Sequence, residues 1–161
     1  MSGRFQPKGT GMFRLSRLTD YAVVVMTQLA RTPGTVVTAT DLAEQVGLPA
    51  PTTAKVLKLL ARHKLISSQR GVSGGYVASR TASDIALTEV ITAIDGPVAL
   101  TACVDGVIGH CTVEDICPVR GRWDRVNLAI KTALDEISLA DMTAPQAMFP
   151  IGKPDPQPRA A

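Results

Sequence analysis

The sequence has few of the residues on which enzymes and membrane proteins depend. It contains two histidines, His63 and His110, and no nucleophile–base arrangement of the kind that hydrolases use. No apolar run approaches the ~18 residues of a membrane-spanning helix, and residues 1–11 lack the apolar core of a secretory signal. We therefore expect a cytoplasmic protein that is neither an enzyme nor a membrane protein.

Cysteine is also scarce, yet all three cysteines lie close together. Cys103, Cys111 and Cys117 fall in a glycine-containing segment that ends at Pro118. Thiols are normally reduced in the cytoplasm, and an odd number of them argues against a closed disulfide framework. Thiolates are the preferred ligands of iron–sulphur clusters, whereas structural zinc sites favour closely spaced cysteine pairs. We expect a cluster here, with zinc and metal-free thiol oxidation as the alternatives.

Charge divides the chain into two unlike parts. Residues 12–80 contain nine Lys and Arg against three Asp and Glu, whereas residues 81–143 contain four against ten. A basic region beside an acidic one is typical of a polyanion-binding module joined to a regulatory part. A basic surface that is merely solvated is the alternative.

The predicted fold is mainly α-helical with a small β-hairpin. We expect a disordered leader at 1–11 and a winged helix-turn-helix at 12–80. A cysteine loop and a long dimerisation helix follow at 81–143, within the same compact domain. The segment 144–161 has five prolines and no hydrophobic periodicity, so it is predicted to be a disordered tail.

Three helices are predicted in the basic region. The first begins near Thr19 or Asp20, and either residue suits an N-cap. The second begins at Thr38 and ends at Gly47, and Pro51 pre-sets the start of the third. Two short helices across a tight turn are typical of a helix-turn-helix whose second helix reads DNA.

The predicted DNA contacts lie on the reading helix and on the hairpin after it. Thr52, Thr53 and Lys55 occupy the N-terminal end of the reading helix, which is the end that meets base edges and phosphates. Two short strand-like runs around a glycine-rich turn then predict a wing. Arg70 lies near the tip of that wing, where a guanidinium can enter a narrow minor groove.

A long helical pattern returns after the cysteines, at 119–137. Its apolar residues recur at steps of three and four: Trp123, Val126, Ile130, Leu134 and Ile137. About nineteen residues at ~1.5 Å each span roughly 28 Å. The preceding helices suffice for a core, so we expect this helix to join two copies of the chain. The alternative is that it folds back onto its own domain.

Four motifs stand out along residues 14–117. They are RLSRLTDYAV at 14–23, SQRGVSGGY at 68–76, EVI at 89–91 with Ile94-Asp95, and the three cysteines. Together they resemble the winged-helix regulators typified by IscR and NsrR, and most closely the regulators of SUF iron–sulphur assembly genes. The resemblance implies a homodimer that binds double-stranded promoter DNA. It also implies a [2Fe–2S] or [4Fe–4S] cluster held by Cys103, Cys111 and Cys117.

The fourth cluster ligand differs between the two kinds of regulator. IscR-like members use a His three residues after the last cysteine, but Arg120 occupies that position here. NsrR-like members use an Asp near the start of the first helix, supplied by the other subunit, and the matching residue is Asp20. His110 is a second candidate, and water or a small thiol is a third. A carboxylate binds iron more weakly than a thiolate does, so a site completed by Asp20 should be labile.

The resemblance implies a repressor-type transcription regulator that senses cluster status and controls SUF genes. A nitric-oxide- or redox-responsive repressor of the same fold and a thiol-based regulator without a cluster remain alternatives. IscR-like proteins carry in the reading helix a Glu that influences site choice, and Ala54 stands at this position here. We therefore expect a different or relaxed operator preference.

Overall fold

The computed structural model describes residues 14–72, 74–101, 104, 118–119 and 121–143. Six α-helices and one antiparallel hairpin are found within these residues. They are α1 Arg17–Ala30, α2 Ala39–Val46, α3 Ala50–Arg62, β1 Ile66–Gln69, β2 Gly75–Ala78, α4 Leu87–Asp95, α5 Arg122–Asp135 and α6 Leu139–Thr143. This order confirms the predicted mainly helical winged fold. The predicted leader and tail, the three cysteines and His110 lie outside the described residues.

The first helix begins earlier than the sequence pattern suggested. Its N-cap is Ser16, whose hydroxyl oxygen accepts a hydrogen bond from the Thr19 amide at 3.1 Å. The prediction of Thr19 or Asp20 as the cap was therefore wrong. Thr19 is instead buried, and Asp20 lies exposed in the first turn, where a carboxylate interacts favourably with the helix dipole.

The second and third helices form the predicted helix-turn-helix. The Thr38 hydroxyl caps α2 by accepting from the Asp41 amide at 3.1 Å, as expected. Gly47 ends α2 in the left-handed conformation, with φ of +68°, which costs glycine little. The third helix begins at Ala50, so Pro51 is its second residue and not its first.

The core lies beneath the helix-turn-helix and is built from α1 to α4, β1 and α6. α1 and α3 contribute its largest share. The fully buried apolar side chains are Ala22, Val25, Met26, Leu29, Leu42, Val56, Leu57, Leu60, Leu65, Ile66, Ile85, Val90 and Leu139. Because each large side chain of this kind stabilises the fold by about 1.5–3 kcal/mol on burial, this cluster sets how the helices are rotated.

The segment between α1 and α2 pairs with the hairpin and so attaches it to the helices. Ile66 pairs with Ala78 and Gln69 with Gly75 across the two strands. On the edge of β2 that faces away from β1, Tyr76 exchanges two backbone hydrogen bonds with Val37, of 2.8 and 2.9 Å. A Cβ atom at position 75 would overlap the Val37 carbonyl group, so only glycine permits this approach.

The last two helices connect to the chain before α4. α5 covers Arg122–Asp135, which is shorter than the predicted 119–137. α6 begins at a cap in which the Asp141 carboxylate accepts from the Ser138 amide at 2.8 Å. Backbone bonds from Leu87 to the Ile137 carbonyl and from Leu139 to the Ile85 carbonyl, both 2.8 Å, attach this region to the core.

We expect Gly75→Ala to lower the free energy of unfolding by about 1–3 kcal/mol, because the new methyl group must displace the Val37 backbone. Urea denaturation of the purified protein measures this loss. Ser67→Ala, on an exposed position of the opposite strand, is the matched control and should change stability little. Equal stability of Gly75→Ala and the wild type would contradict the close approach of these backbones.

Candidate functional site

The third helix presents a continuous exposed stripe to solvent. Pro51, Ala54, Lys55, Lys58 and Arg62 are all exposed and recur at steps of one, three and four residues. Residues with this spacing lie on one face of an α-helix. Three of the five carry positive charge, so the face is suited to a polyanion such as DNA.

The opposite face of α3 is buried, and this corrects one predicted DNA contact. Thr53 is fully buried, and its hydroxyl donates to the Pro49 carbonyl at 3.3 Å. It shares the buried face with Val56, Leu57 and Leu60. The prediction that Thr53 contacts DNA therefore does not hold. The helical spacing of positions 53, 56, 57 and 60 indicates one buried face. The prediction instead followed the general tendency of a threonine at the start of a reading helix to make polar contacts.

The other predicted DNA residues are accessible. Lys55 is exposed and Thr52 is half-buried on the N-terminal half of α3. Arg70 is exposed directly after β1, and Val72 at the turn is fully exposed. The hairpin therefore offers a cation and an apolar side chain beside the reading helix, as a DNA-contacting wing requires.

An ion pair joins the end of the wing to α4. One Arg80 nitrogen lies 2.5 Å from the Glu89 carboxylate, and another donates to the Asp84 carbonyl at 2.8 Å. The hydrogen bond from Arg80 lowers the pKa of Glu89. Glu89 also accepts from the Ala86 amide at 3.1 Å, so one carboxylate caps α4 and holds the chain that leaves β2. The sequence did not reveal this pair, because the partners lie on different elements.

Asp95 connects the end of α4 to the start of α1. Its carboxylate accepts from the Thr19 hydroxyl at 2.6 Å and from the Ser16 amide at 3.2 Å. Partial desolvation disfavours the charged form, but the hydrogen bonds from Thr19 and Ser16 outweigh it, so the pKa of Asp95 is lowered. The first helix of the DNA-binding part is thereby attached to the chain that leads into the cysteine segment.

Asn127 holds the next stretch of that chain. It is a buried residue of α5, and its side-chain amide donates to the Val98 carbonyl at 3.0 Å. The Leu100 amide in turn donates to the Asn127 side-chain oxygen, also at 3.0 Å. Sequence reasoning missed this residue because it concentrated on the apolar positions of the helix. The sequence feature that could have identified Asn127 is a polar side chain next to the apolar positions of this helix.

The structure places Asp20 but not the sulphur ligands predicted beside it. Asp20 is exposed on α1, and its carboxylate has no hydrogen-bonding partner within the described ranges. It borders a surface cavity that Leu15 and Met142 also line. Cys103, Cys111, Cys117 and His110 belong to the segment outside the described residues. In the part that is described, no three potential metal ligands converge.

The predicted dimerisation face is largely open to solvent. Trp123 and Val126 are 39% and 44% exposed, and Ile130 and Leu134 are half-buried. Leu128 is 63% exposed as well. Among residues 121–143 and the other described ranges, no helix is long and apolar enough to cross a bilayer.

Comparison with known proteins supports a regulator. The Rrf2 family model, described as an iron-dependent transcriptional regulator, matches residues 15–145. An HTH-type transcriptional regulator of Mycobacterium tuberculosis is 33% identical over 131 residues, which are 80% of this chain and 80% of that protein. IscR of Escherichia coli O1:K1 is 30% identical over 139 residues, covering 86% of this chain and 85% of IscR.

Solved structures show the same architecture. T. potens IscR aligns with a TM-score of 0.60 and 28% identity, over 85% of this chain and 92% of that one. CymR, the global cysteine regulator of B. subtilis, aligns with a TM-score of 0.60 and 24% identity, over 81% and 95% of the two chains. The relatives are transcription regulators, so the prediction that this chain is not an enzyme is confirmed.

We expect Asp95→Asn to lower the free energy of unfolding by about 1 kcal/mol at neutral pH, since the exposed carboxylate is partly screened. The folded-state pKa is depressed, so the stabilisation is present above the unfolded-state pKa of about 4 and is lost as the pH falls further. Urea denaturation from pH 7 down to pH 3 should therefore show the two proteins converging in acid. A difference in unfolding free energy between the two proteins that persisted at pH 3 would contradict the proposed stabilisation by the Asp95 carboxylate.

Asp41→Asn is the matched control for that experiment. Asp41 is exposed like Asp95, but it lies in the first turn of α2 and its carboxylate has no hydrogen-bonding partner in the described part of the chain. The unfolding free energy of Asp41→Asn should differ little from that of the wild type at every pH.

Proposed function

Because the chain belongs to the Rrf2 family of transcriptional regulators, we propose that it binds promoter DNA as a homodimer and that its cysteine segment governs this binding. The family and the likeness to IscR establish a DNA-binding regulator. The finer proposal is that an iron–sulphur cluster on the three cysteines reports cluster status, and that the targets are SUF assembly genes.

The main observation in support of a DNA-binding surface is the exposed cationic stripe of α3. Lys55, Lys58 and Arg62 lie on the helix face opposite the core, beside a wing that exposes Arg70. Pro49 caps α3 without a side-chain acceptor, and the first amides of any helix lack partners within it. Those amides and the lysines together suit the phosphates that flank a major groove.

The donor set supports a labile cluster. Three thiolates within one short segment provide the soft ligands that such clusters require, and the exposed Asp20 carboxylate is the favoured fourth ligand, supplied by the partner subunit. His110, water or a small thiol would be the substitute. When bound, the cluster supplies a centre that is sensitive to oxidants and to iron supply.

Two contacts support a path from the cysteine segment to the DNA surface. Asp95 ties the chain before the cysteines to the N-cap of α1, and Asn127 ties residues 98 and 100 to α5. A change at the cysteines would have to move or break these hydrogen bonds. Because α1 packs directly on α3, such a change would reach the reading helix, and the two sites would share one coupling free energy.

The exposed apolar face of α5 supports the homodimer. Trp123 and Val126, one turn apart on this face, are poorly covered by their own chain, and large exposed apolar groups mark association surfaces. A second copy would bury them and would place two reading helices on one DNA duplex.

We expect affinity for a random-sequence DNA duplex to fall steeply as salt rises. Lys55→Ala should reduce the slope of log affinity against log salt by about 0.9, because one phosphate contact is lost. Thr53→Val, which alters a buried side chain of the same helix, is the control and should keep the wild-type slope. Fluorescence anisotropy measures both. Salt-independent binding, or the same change in the two variants, would contradict the proposed surface.

Protein purified without oxygen should contain iron and inorganic sulphide and should absorb visible light. Asp20→Ala should lose its colour faster, whereas Asp41→Ala, another exposed first-turn carboxylate, should match the wild type. Equal decay of all three would remove Asp20 from the site. A colourless protein without iron, whose DNA affinity responds to thiol oxidation, would replace the cluster with the thiol-based alternative.

A further inference from the structure

We propose that α3 recognises its operator through the methyl groups of thymine, which Pro51 and Ala54 contact in the major groove. This inference rests on the proposed DNA-binding function and specifies its chemistry. It identifies Ala54 and Pro51 as the residues that determine sequence preference.

The exposed side chains in the first two turns of α3 carry the inference. Pro51 and Ala54 lie on the same exposed face as Lys55 and Lys58. Of the two threonines at the start of the helix, Thr53 is turned into the core and donates to a backbone carbonyl, and Thr52 is half-buried. The exposed face of the first two turns therefore presents two side chains made only of carbon, Pro51 and Ala54, followed by Lys55 and Lys58.

The chemistry of the base edges then selects thymine. Guanine, adenine and cytosine are recognised in the major groove through hydrogen-bond donors and acceptors, and thymine adds an apolar C5 methyl group. Side chains such as those of Pro51 and Ala54 have no hydrogen-bonding atoms, so the favourable contact open to them is burial of that methyl group. Pro51 also lacks a backbone N–H, which removes another donor from this end of the helix.

The lysines make such a contact possible. Lys55 and Lys58 lie beside Ala54 on the same exposed face, toward the C-terminal end of α3, and can bind phosphates next to the base pairs that Ala54 meets. Because Ala54 is short, the helix backbone can approach the base edges closely. The shape of the surface around Pro51 and Ala54 thus favours a thymine methyl group at the base pairs that these two side chains meet.

The experiment first selects preferred duplexes from a random-sequence library with the full-length protein. Each thymine of the selected duplex is then replaced singly by 2′-deoxyuridine, which keeps base pairing and removes only the methyl group. We expect one or two positions in each half-site at which affinity falls about 3- to 5-fold, the effect of one buried methyl group. Indifference to uracil at every position would overturn the inference.

Variants assign the contact to its residue. In Ala54→Gly the affinity ratio between the thymine and uracil duplexes should fall from about 4 to near 1 at one of these positions. A weakened helix lowers affinity for both duplexes, so the ratio isolates the methyl contact. Ala133→Gly, the same change at an exposed site of α5, is the control and should keep the ratio. An unchanged ratio in Ala54→Gly would exclude Ala54 as the reader.

Ala54→Gln tests for the gain of a new base preference instead of the loss of the existing one. A glutamine there can form two hydrogen bonds with adenine, so the selected base should change from thymine to adenine at the affected position. The selection also separates this inference from its premise. Enrichment of no sequence, together with salt-independent binding, would overturn the proposed function itself, whereas clear enrichment with indifference to uracil would overturn only the methyl reading.

Discussion

Burial of one face of α3 is the constraint on which the rest of the molecule depends. Thr53, Val56, Leu57 and Leu60 are held in the core, mainly against α1, α2 and α4. A helix has one rotation that buries these four side chains together. That rotation turns the lysines and the small apolar residues outward, so the composition of the DNA-facing surface follows from the packing of the opposite face.

The same packing places α1 on the proposed path between the cysteine segment and the DNA-binding surface. α1 contacts α3 on one side and α4 on another, and its N-cap is bound by Asp95. The chain just beyond Asp95 is held by Asn127 of α5 and leads into the cysteines. In the proposed regulation no long-range motion is needed, because only a few residues separate Cys103 from the hydrogen bonds that hold the start of the first helix.

α5 packs on α4 but contributes no side chain to the described apolar core. Its Asn127 is buried, whereas Trp123 and Val126 remain exposed. An amphipathic helix that contributes one polar anchor to its own domain and leaves part of its apolar face exposed is suited to a partner copy. In such a dimer the anchor would link the interface to the cysteine segment of each subunit.

Local patterns in the sequence determined the helix-turn-helix, the hairpin and the Thr38 cap, because helix periodicity, capping and turn chemistry act over a few residues. They also pointed to the regulator family. Only the tertiary structure decided that Asp95, Asn127 and the Arg80–Glu89 pair join distant segments. The physical reason is that side-chain contacts between elements depend on helix rotation and packing, which no short-range pattern encodes.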